Sequence, residues 1–331
     1  MIDVSFRRHS QRMSTTEESP EIPTNFVETS GDSSTSLVPR FAQNDVHSFC
    51  SRTISLALAS LVLPIAYSLI EPHLLQVLHF DVHLPGLPSK AENWRLVQIS
   101  DVHYSAIGGA KILRQAVEWS NQLNPDAVLL TGDYVSRRNS YASFTGARLW
   151  ARPIMDYAAE MAKVLSGLQS RLGVFAVAGN HDHSKGRCDA IENLLSNAGV
   201  INLRNRQTLL DGILPLTGLD DLRGGRPLVR QALKGIDPAA PQIILSHNPR
   251  LMLELRNRNA LILSGHTHGG QVHLPFTNFR VRPRDVAQTP FLRGWYRQSP
   301  AQLYVSSGLG SVHFPMRFRC PPEMVVFTLH G

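Results

Sequence analysis

From about Leu78 onward, short apolar runs alternate with stretches in which apolar residues recur every three to four positions. The runs Arg95–Ser100, Ala127–Thr131, Val174–Ala178, Ile243–Ser246, Leu261–Ser264, Leu303–Ser306 and Met324–Leu329 are short and rich in Val, Ile and Leu, which predicts buried strands. The longer stretches Ala110–Gln122, Pro153–Leu168, Asp189–Asn197 and Pro249–Arg256 predict helices with one apolar face. Strands alternating with helices predict an α/β core. No internal repeat breaks this pattern, and no Gly-x-Gly-x-x-Gly opens a helix.

Residues 1–52 lack such periodicity. Rich in Ser, Thr, Glu and Asn, they bury too little apolar surface to offset chain entropy and are expected to be disordered. Next comes Thr53–Ile70, an uncharged run of 18 residues between Arg52 and Glu71. Crossing a bilayer takes about 17–25 residues, so segment 53–73 is expected to be a single membrane anchor. Pro64 and three serines leave a buried helix or an uncleaved export signal as competing readings. Arg40 and Arg52 before the run and Glu71 after it place the head in the cytoplasm and the body, residues 78–331, outside. Cys50 precedes the run, which argues against a lipoprotein cleavage site.

A chain of 331 residues with 43% hydrophobics can build a sizeable core. Its three cysteines are too few for a disulfide scaffold or a Cys-rich zinc module, so any metal must be held by nitrogen and oxygen ligands. The net charge of +7 is uneven. Residues 1–77 carry five Arg or Lys against eight Asp or Glu, leaving 28 against 18 in the body. Only five of the body's basic residues are lysine, and arginine is the side chain best matched to phosphate forks. Anionic substrates and anionic lipid head groups are the partners such a field favours. A nucleic-acid partner is not expected, since the body lacks an aromatic-basic recognition motif.

Polar residues concentrate just past the predicted strand ends, where open α/β sheets bind ligands. Five clusters stand out: Asp101-Val102-His103, Thr131-Gly132-Asp133-Tyr134, Gly179-Asn180-His181-Asp182-His183, Ser246-His247-Asn248-Pro249 and Gly265-His266-Thr267-His268-Gly269-Gly270-Gln271. If the segment after the first strand is extended, Asp101 and His103 point the same way and can meet one ion. Asp133 has two oxygens with which to bridge two cations. Singly each cluster reads as a turn or a satisfied polar residue. Together they supply seven potential ligands, because so many buried polar groups without a cation would be prohibitively unpaired. Histidine, carboxylate and amide donors without thiolate suit Mn²⁺, Fe or Zn²⁺.

The ordered set Asp101-x-His103, Gly132-Asp133, Gly179-Asn180-His181-Asp182, His247 and Gly265-His266-x-His268 resembles the calcineurin-like metallophosphoesterase superfamily over roughly residues 78–331. The resemblance implies an αββα sandwich, two sheets flanked by helices. It implies Asp101, His103 and His268 on one metal, Asn180, His247 and His266 on the other, and Asp133 bridging them. It makes His181 the histidine that contacts the phosphate and helps the leaving group. The implied reaction is hydrolysis of a phosphoric ester by a hydroxide that bridges two divalent ions. Within the superfamily, the Gly265–Gln271 motif behind a membrane-like segment resembles membrane-associated phosphodiesterases, among them UDP-2,3-diacylglucosamine hydrolases of lipid A synthesis. That branch implies a diester or pyrophosphate, on a small phosphorylated molecule or a lipid. The long acidic head and the tail Phe318-Arg319-Cys320 depart from its usual pattern.

Lesser expectations surround these motifs. Arg280, Arg282, Arg284, Arg293 and Arg297 form a candidate rim for a second phosphate or an anionic head group, Arg280 and Arg282 foremost, with a solvated loop as the bland reading. Residues 137–150 read as a packing segment, a lid or an acyl-chain shelf. His183 and His273 read as polar residues on a solvated loop or strand face, with a ligand role as the alternative, and Asp182 as orienting His181 or capping the next helix. Gly269 and Gly270 offer close backbone approach or a plain turn. Two function classes remain open: a dimetal phosphoesterase, and a non-catalytic scaffold of the same fold that binds a partner protein. An outward-facing body also sits poorly with a nucleotide-lipid substrate made in the cytoplasm.

Overall fold

The computed structural model describes residues 62–105, 109–136, 152–274, 289–312 and 314–331, with Ser48, Ser51, Thr53, Ser55, Ser60, Thr277 and Ala287 as isolated positions. The chain divides into two units at Ser55, and the expected disordered head lies almost wholly outside the described residues. Of the segment expected to anchor the chain, residues 62–70 are helical and run into a short 3₁₀ turn at Glu71–His73, while most of 53–61 is outside the described set. No helix among the described residues is long and apolar enough to cross a membrane.

Two six-stranded mixed sheets make the body. In the first, β1 (Gln76–His83) pairs parallel with β12 (Glu323–His330), which runs antiparallel to β2 (Arg95–Ile99). Beyond β2, the strands β3 (Ala127–Leu130), β4 (Val174–Ala176) and β5 (Val200–Asn202) follow in parallel. In the second sheet β7 (Leu214–Gly218), β8 (Gln242–Leu245), β9 (Ala260–Ser264) and β11 (Ala301–Val305) are parallel. Antiparallel β6 (Arg206–Leu210) and β10 (Gly294–Gln298) form its edges. The predicted αββα sandwich is what the chain forms.

Side-chain alternation along the strands builds the layers. Leu96, Leu129, Phe175 and Phe327 of the first sheet face Leu216, Ile243, Leu245, Leu261 and Leu263 of the second in one apolar cluster between the sheets. The intervening residues Val97, Ile99, Val128 and Leu130 face outward against Leu113, Met161 and Leu195 of the helices Ala110–Gln122, Ile154–Leu165 and Cys188–Asn197. Ile244, Ile262 and Leu303 turn to the other outer layer, against Met252 and Leu255. Central strands are thus apolar on both faces, which is why their sequences read as continuous runs. Each such buried side chain contributes about 1.5–3 kcal/mol.

Helix limits follow local chemistry. In Ala110–Gln122 the buried positions Ile112, Leu113, Ala116, Val117 and Ser120 form one stripe. The helix stops where Asn124 takes a left-handed φ of 46° and Pro125 follows. Gly199, with φ of 82°, closes the helix Cys188–Asn197 in the same way.

Candidate metal centre

The loops that carry the five motifs leave the ends of β2, β3, β4, β8 and β9, strands that lie next to one another within their sheets. Backbone pairing continues past the first two strand ends. Asp101 N–H donates to Gly132 O (3.0 Å), His103 N–H to Asp133 O (3.0 Å) and Tyr104 N–H to Tyr134 O (2.9 Å). Below them, buried Gln98 donates from Nε2 to Thr131 Oγ1 (3.0 Å) and to Ser264 O (3.0 Å), tying the first sheet to β9 of the second. An amide inside an apolar strand was the signal in the sequence that could have flagged Gln98.

Asp101, His103, Asp133 and His268 form one buried group whose donor atoms all lie within 4.8 Å of one another, and Asp133, His247 and His266 form a second. In the first, His103 Nε2 is 3.0 Å from His268 Nε2 and 3.9 Å from Asp101 Oδ1, and His268 Nε2 is 3.4 Å from Asp101 Oδ1. Donors about 2.0–2.2 Å from a common cation are spaced from about 2.8 Å at right angles to about 4.4 Å when opposed, so the cluster fits an ion at its centre. Asp133 belongs to both groups through a single oxygen. Its Oδ2 is 3.4 Å from His103 Nε2 and 3.3 Å from His247 Nε2, while Oδ1 accepts the His181 backbone N–H at 2.7 Å. The carboxylate expected to bridge two cations therefore faces both donor groups through Oδ2, with Oδ1 tied to the backbone.

Asp101 and His103 do converge, but not on an extended segment. Asp101, His103, Asp133, His266 and His268 take left-handed φ values of 50°, 46°, 55°, 75° and 51°. Non-glycine residues held there cost about 1–3 kcal/mol each and persist only where their surroundings over-determine them. Those surroundings are visible. The Asp101 carboxylate accepts from Ser100 Oγ (2.6 Å) and from the His266 N–H (3.1 Å to each oxygen). A side chain on Gly265 would collide with Ser100 Oγ and Asp101 Oδ2, so glycine is required for the ends of β2 and β9 to approach. Likewise, a Cβ on Gly179 would strike Asp133.

Asp182 does something the sequence did not suggest. Its buried carboxylate accepts from the N–H groups of Asp133 (2.9 Å), Tyr134 (2.9 Å) and Gly179 (2.8 Å). It therefore staples the β4 loop to the β3 loop, and neither orients His181 nor caps the following helix. Burial first, then the Asp133 charge, raises the Asp182 carboxyl.

The electrostatics suit a cation. Burial would raise the Asp133 carboxyl, yet the imidazoles of His247, His181 and His103 hold it well below the usual carboxylate range. Burial opposes charge on His247 too, but Asp133 keeps its basicity well above normal. Burial, with His103 beside it, pushes His268 down. His247 Nδ1–H donates to Thr131 O at 2.7 Å, which turns Nε2 toward Asp133, and that Nε2 is buried without a hydrogen-bond partner. Asn180 Oδ1 is likewise buried and unpartnered. Bare acceptors packed with carboxylates in a dry site are costly unless a cation satisfies them, so the residues present fit two divalent ions.

Asn180 and His181 line the same cavity of about 400 Å³ as Asp133, His266 and His268. The His181 ring stands edge-on to His103 at 4.7 Å, and burial drops its basicity to about 3, so it is a neutral donor in the free protein.

Other expectations fare differently. Arg280, Arg282 and Arg284, and residues 137–150, lie outside the described residues. Arg293 is not a rim residue: its Nη2 pairs with buried Glu323 at 2.6 Å. Arg297 lies over the Trp295 ring at 5.9 Å. His183 Nε2 meets Asp220 at 2.6 Å, and His273 Nε2 donates to Gly269 O at 2.5 Å, so both fill polar structural roles. Gly269, with φ of 58°, approaches Cys320 Sγ rather than a metal ligand.

Comparison with known proteins agrees with this arrangement. The family described as calcineurin-like phosphoesterase matches residues 95–270. An uncharacterized metallophosphoesterase of Aquifex aeolicus is 30% identical over 80% of this chain and 96% of its own. The phosphodiesterase YaeI of Escherichia coli is 28% identical over 72% of this chain and 83% of its own. The UDP-2,3-diacylglucosamine pyrophosphatase LpxG of Chlamydia muridarum is 26% identical over 78% and 90%. With the buried Asp and His groups already in place, these likenesses settle the class: the chain belongs to the calcineurin-like phosphoesterase family and is a metal-dependent phosphoric ester hydrolase that uses two divalent cations.

Proposed function

We propose that the protein hydrolyses a phosphodiester or pyrophosphate bond, on a lipid-linked substrate of the kind named for LpxG. The observation that carries the reaction is the sharing of Asp133 Oδ2 between two buried donor groups. In this reading Asp101, His103 and His268 would hold one ion, Asn180, His247 and His266 would hold the other, and Asp133 would serve both. Two divalent ions there would supply an acidified water and a clamp on the phosphoryl oxygens. The chain's residues do the rest. Thr131 O and Ser100 Oγ orient His247 and Asp101, and the Asp133 Oδ1 bond to His181 N–H keeps Oδ2 aimed between the groups. His181, neutral and lining the cavity, presents a ring N–H to the leaving-group oxygen.

The names of LpxG and YaeI favour a pyrophosphate or diester over a monoester. The uncharged run Thr53–Ile70 supports attachment of the body to a membrane. A non-catalytic scaffold would tolerate gaps in the ligand set, and all seven positions carry donor residues. The test is hydrolysis of bis-p-nitrophenyl phosphate by the manganese-loaded protein, with bound metal counted in parallel. Asp133→Asn is expected to lose metal and activity together. His181→Gln is expected to keep both metals and turn over about 10²–10⁴-fold more slowly. A parent protein that binds two metals but hydrolyses no diester would overturn the proposal.

A further inference from the structure

The cavity over the donor groups is lined by two unlike sets of residues. One holds Arg223, the only Arg or Lys among the described residues lining it. Its turn is rigid: Asp221 accepts from the backbone N–H of Arg223 (2.7 Å) and of Gly224 (2.5 Å). Gly224 packs so tightly on Asn180 and His183 that a Cβ would clash with both. The arginine is therefore presented from a fixed point beside the candidate ligand Asn180. The other set is Val272, Val312, Phe314 and Met316, with no charge among them.

The apolar wall is built, not left over. Gln271, three residues past His268, donates from Nε2 to Val312 O (3.0 Å) and Phe314 O (3.1 Å), and its Oε1 accepts the Val312 N–H (2.8 Å). Beyond the wall, the fully buried guanidinium of Arg317 donates to the carbonyls of Cys320 (2.9 Å), Ser307 (2.8 Å), Gly308 (3.0 Å) and Gly310. Glu71, also buried, accepts from the N–H groups of Arg319 (2.8 Å) and Cys320 (2.5 Å). Held at both ends, the segment keeps Phe314 50% exposed at the cavity instead of letting it collapse into the core. The same segment joins the cavity to the apolar helix before the domain. Ser68 O accepts the Arg317 N–H at 2.9 Å, and Tyr67 meets Phe318 edge-on at 6.0 Å. Val62, Leu63, Ile65, Leu69 and Ile70 of that helix are exposed.

We infer that the cavity sorts its substrate by polarity, taking an aliphatic chain of a lipid along Val272, Val312, Phe314 and Met316 and a second anionic phosphate at Arg223. This rests on the diester or pyrophosphate reading above. An apolar wall is matched only by an apolar substituent, and a guanidinium fork is matched by phosphate oxygens. The exposed apolar helix tied to the wall makes a lipid, not a free alcohol, the source of the chain.

Methyl, hexyl and dodecyl p-nitrophenyl phosphates, assayed with the metal-loaded protein at fixed detergent, test the apolar wall. kcat/KM is expected to rise by about 3–4-fold per buried methylene until the wall is covered. Phe314→Ser and, independently, Met316→Ser are expected to cut the dodecyl-to-methyl ratio by about tenfold. Arg223→Ala should raise KM more for a dodecyl pyrophosphate diester of uridine, read by UMP release, than for dodecyl p-nitrophenyl phosphate. Arg223→Lys should recover part of that loss. A parent whose rates are independent of chain length, or ratios unmoved by both wall variants, would overturn the assignment of the chain. Equal KM changes on both substrates would overturn the role of Arg223. Failure of the parent to cleave bis-p-nitrophenyl phosphate would instead sink the underlying reaction, and this inference with it.

Discussion

Asp133 divides its carboxylate between scaffold and chemistry, one oxygen on the His181 N–H and the other between two imidazoles. The partner that makes this possible is Asp182, whose three N–H bonds set the spacing of the β3 and β4 loops. Asp182→Asn removes one acceptor oxygen and the charge, so metal affinity is expected to fall about 10–100-fold, as measured by competition with a fluorescent chelator. Farther out, the Asp220 hydrogen bond raises His183 despite partial burial, and Asp220 itself is lowered. A histidine raised on folding stabilises the protein fully below its unfolded value near 6.5 and loses that contribution as pH climbs through its higher folded value. Thermal melts of His183→Gln against the parent should therefore differ most below about pH 6.5 and converge as pH rises above it. A gap that does not change with pH would show that the pair adds packing only.

At the level of strands and helices, apolar periodicity placed the seven predicted strands and all four helical segments within a few residues of where they occur. The helix Ala110–Gln122 coincides in both limits. What the pattern did not reveal were β1, β5, β6, β7 and β10. Gln76–His83 and Arg206–Leu210 mix polar and apolar residues without strict alternation, because each is partly exposed and takes its strand form from pairing with a neighbour. Pairing partners are distant in sequence, so no local window contains the cause. The ends of elements matter as much as their bodies. Gly265 lets the end of β9 press on Asp101, so Gly265→Ala should displace that carboxylate and lower diester turnover by about 10²-fold with far-UV circular dichroism unchanged. Retained activity with two bound metals would show that the Ser100 and Asp101 side chains can move aside.

The whole molecule folds around a site that is electrostatically unfinished. Two sheets back an apolar interior, yet their loop ends gather two carboxylates and four imidazoles in a nearly water-free group, with several buried acceptors lacking a hydrogen bond. Cations that bind only the folded chain stabilise it by mass action, by about 2.7 kcal/mol at a hundred times the dissociation constant. Chelation should accordingly lower the melting temperature by several degrees, and added Mn²⁺ should restore it. A melting curve indifferent to chelator would contradict the fit of the site to metal. The donor types and their order along the chain were legible directly, because a motif such as Gly-His-x-His carries its chemistry in consecutive residues. Only the packed structure decided which oxygen of Asp133 is shared, that Asp182 and Gln98 are braces, and that Arg293 serves Glu323 rather than a substrate. Those are relations between segments as far apart as the 165 residues separating His103 from His268, and their distances are set by how two sheets stack, which no stretch of sequence contains.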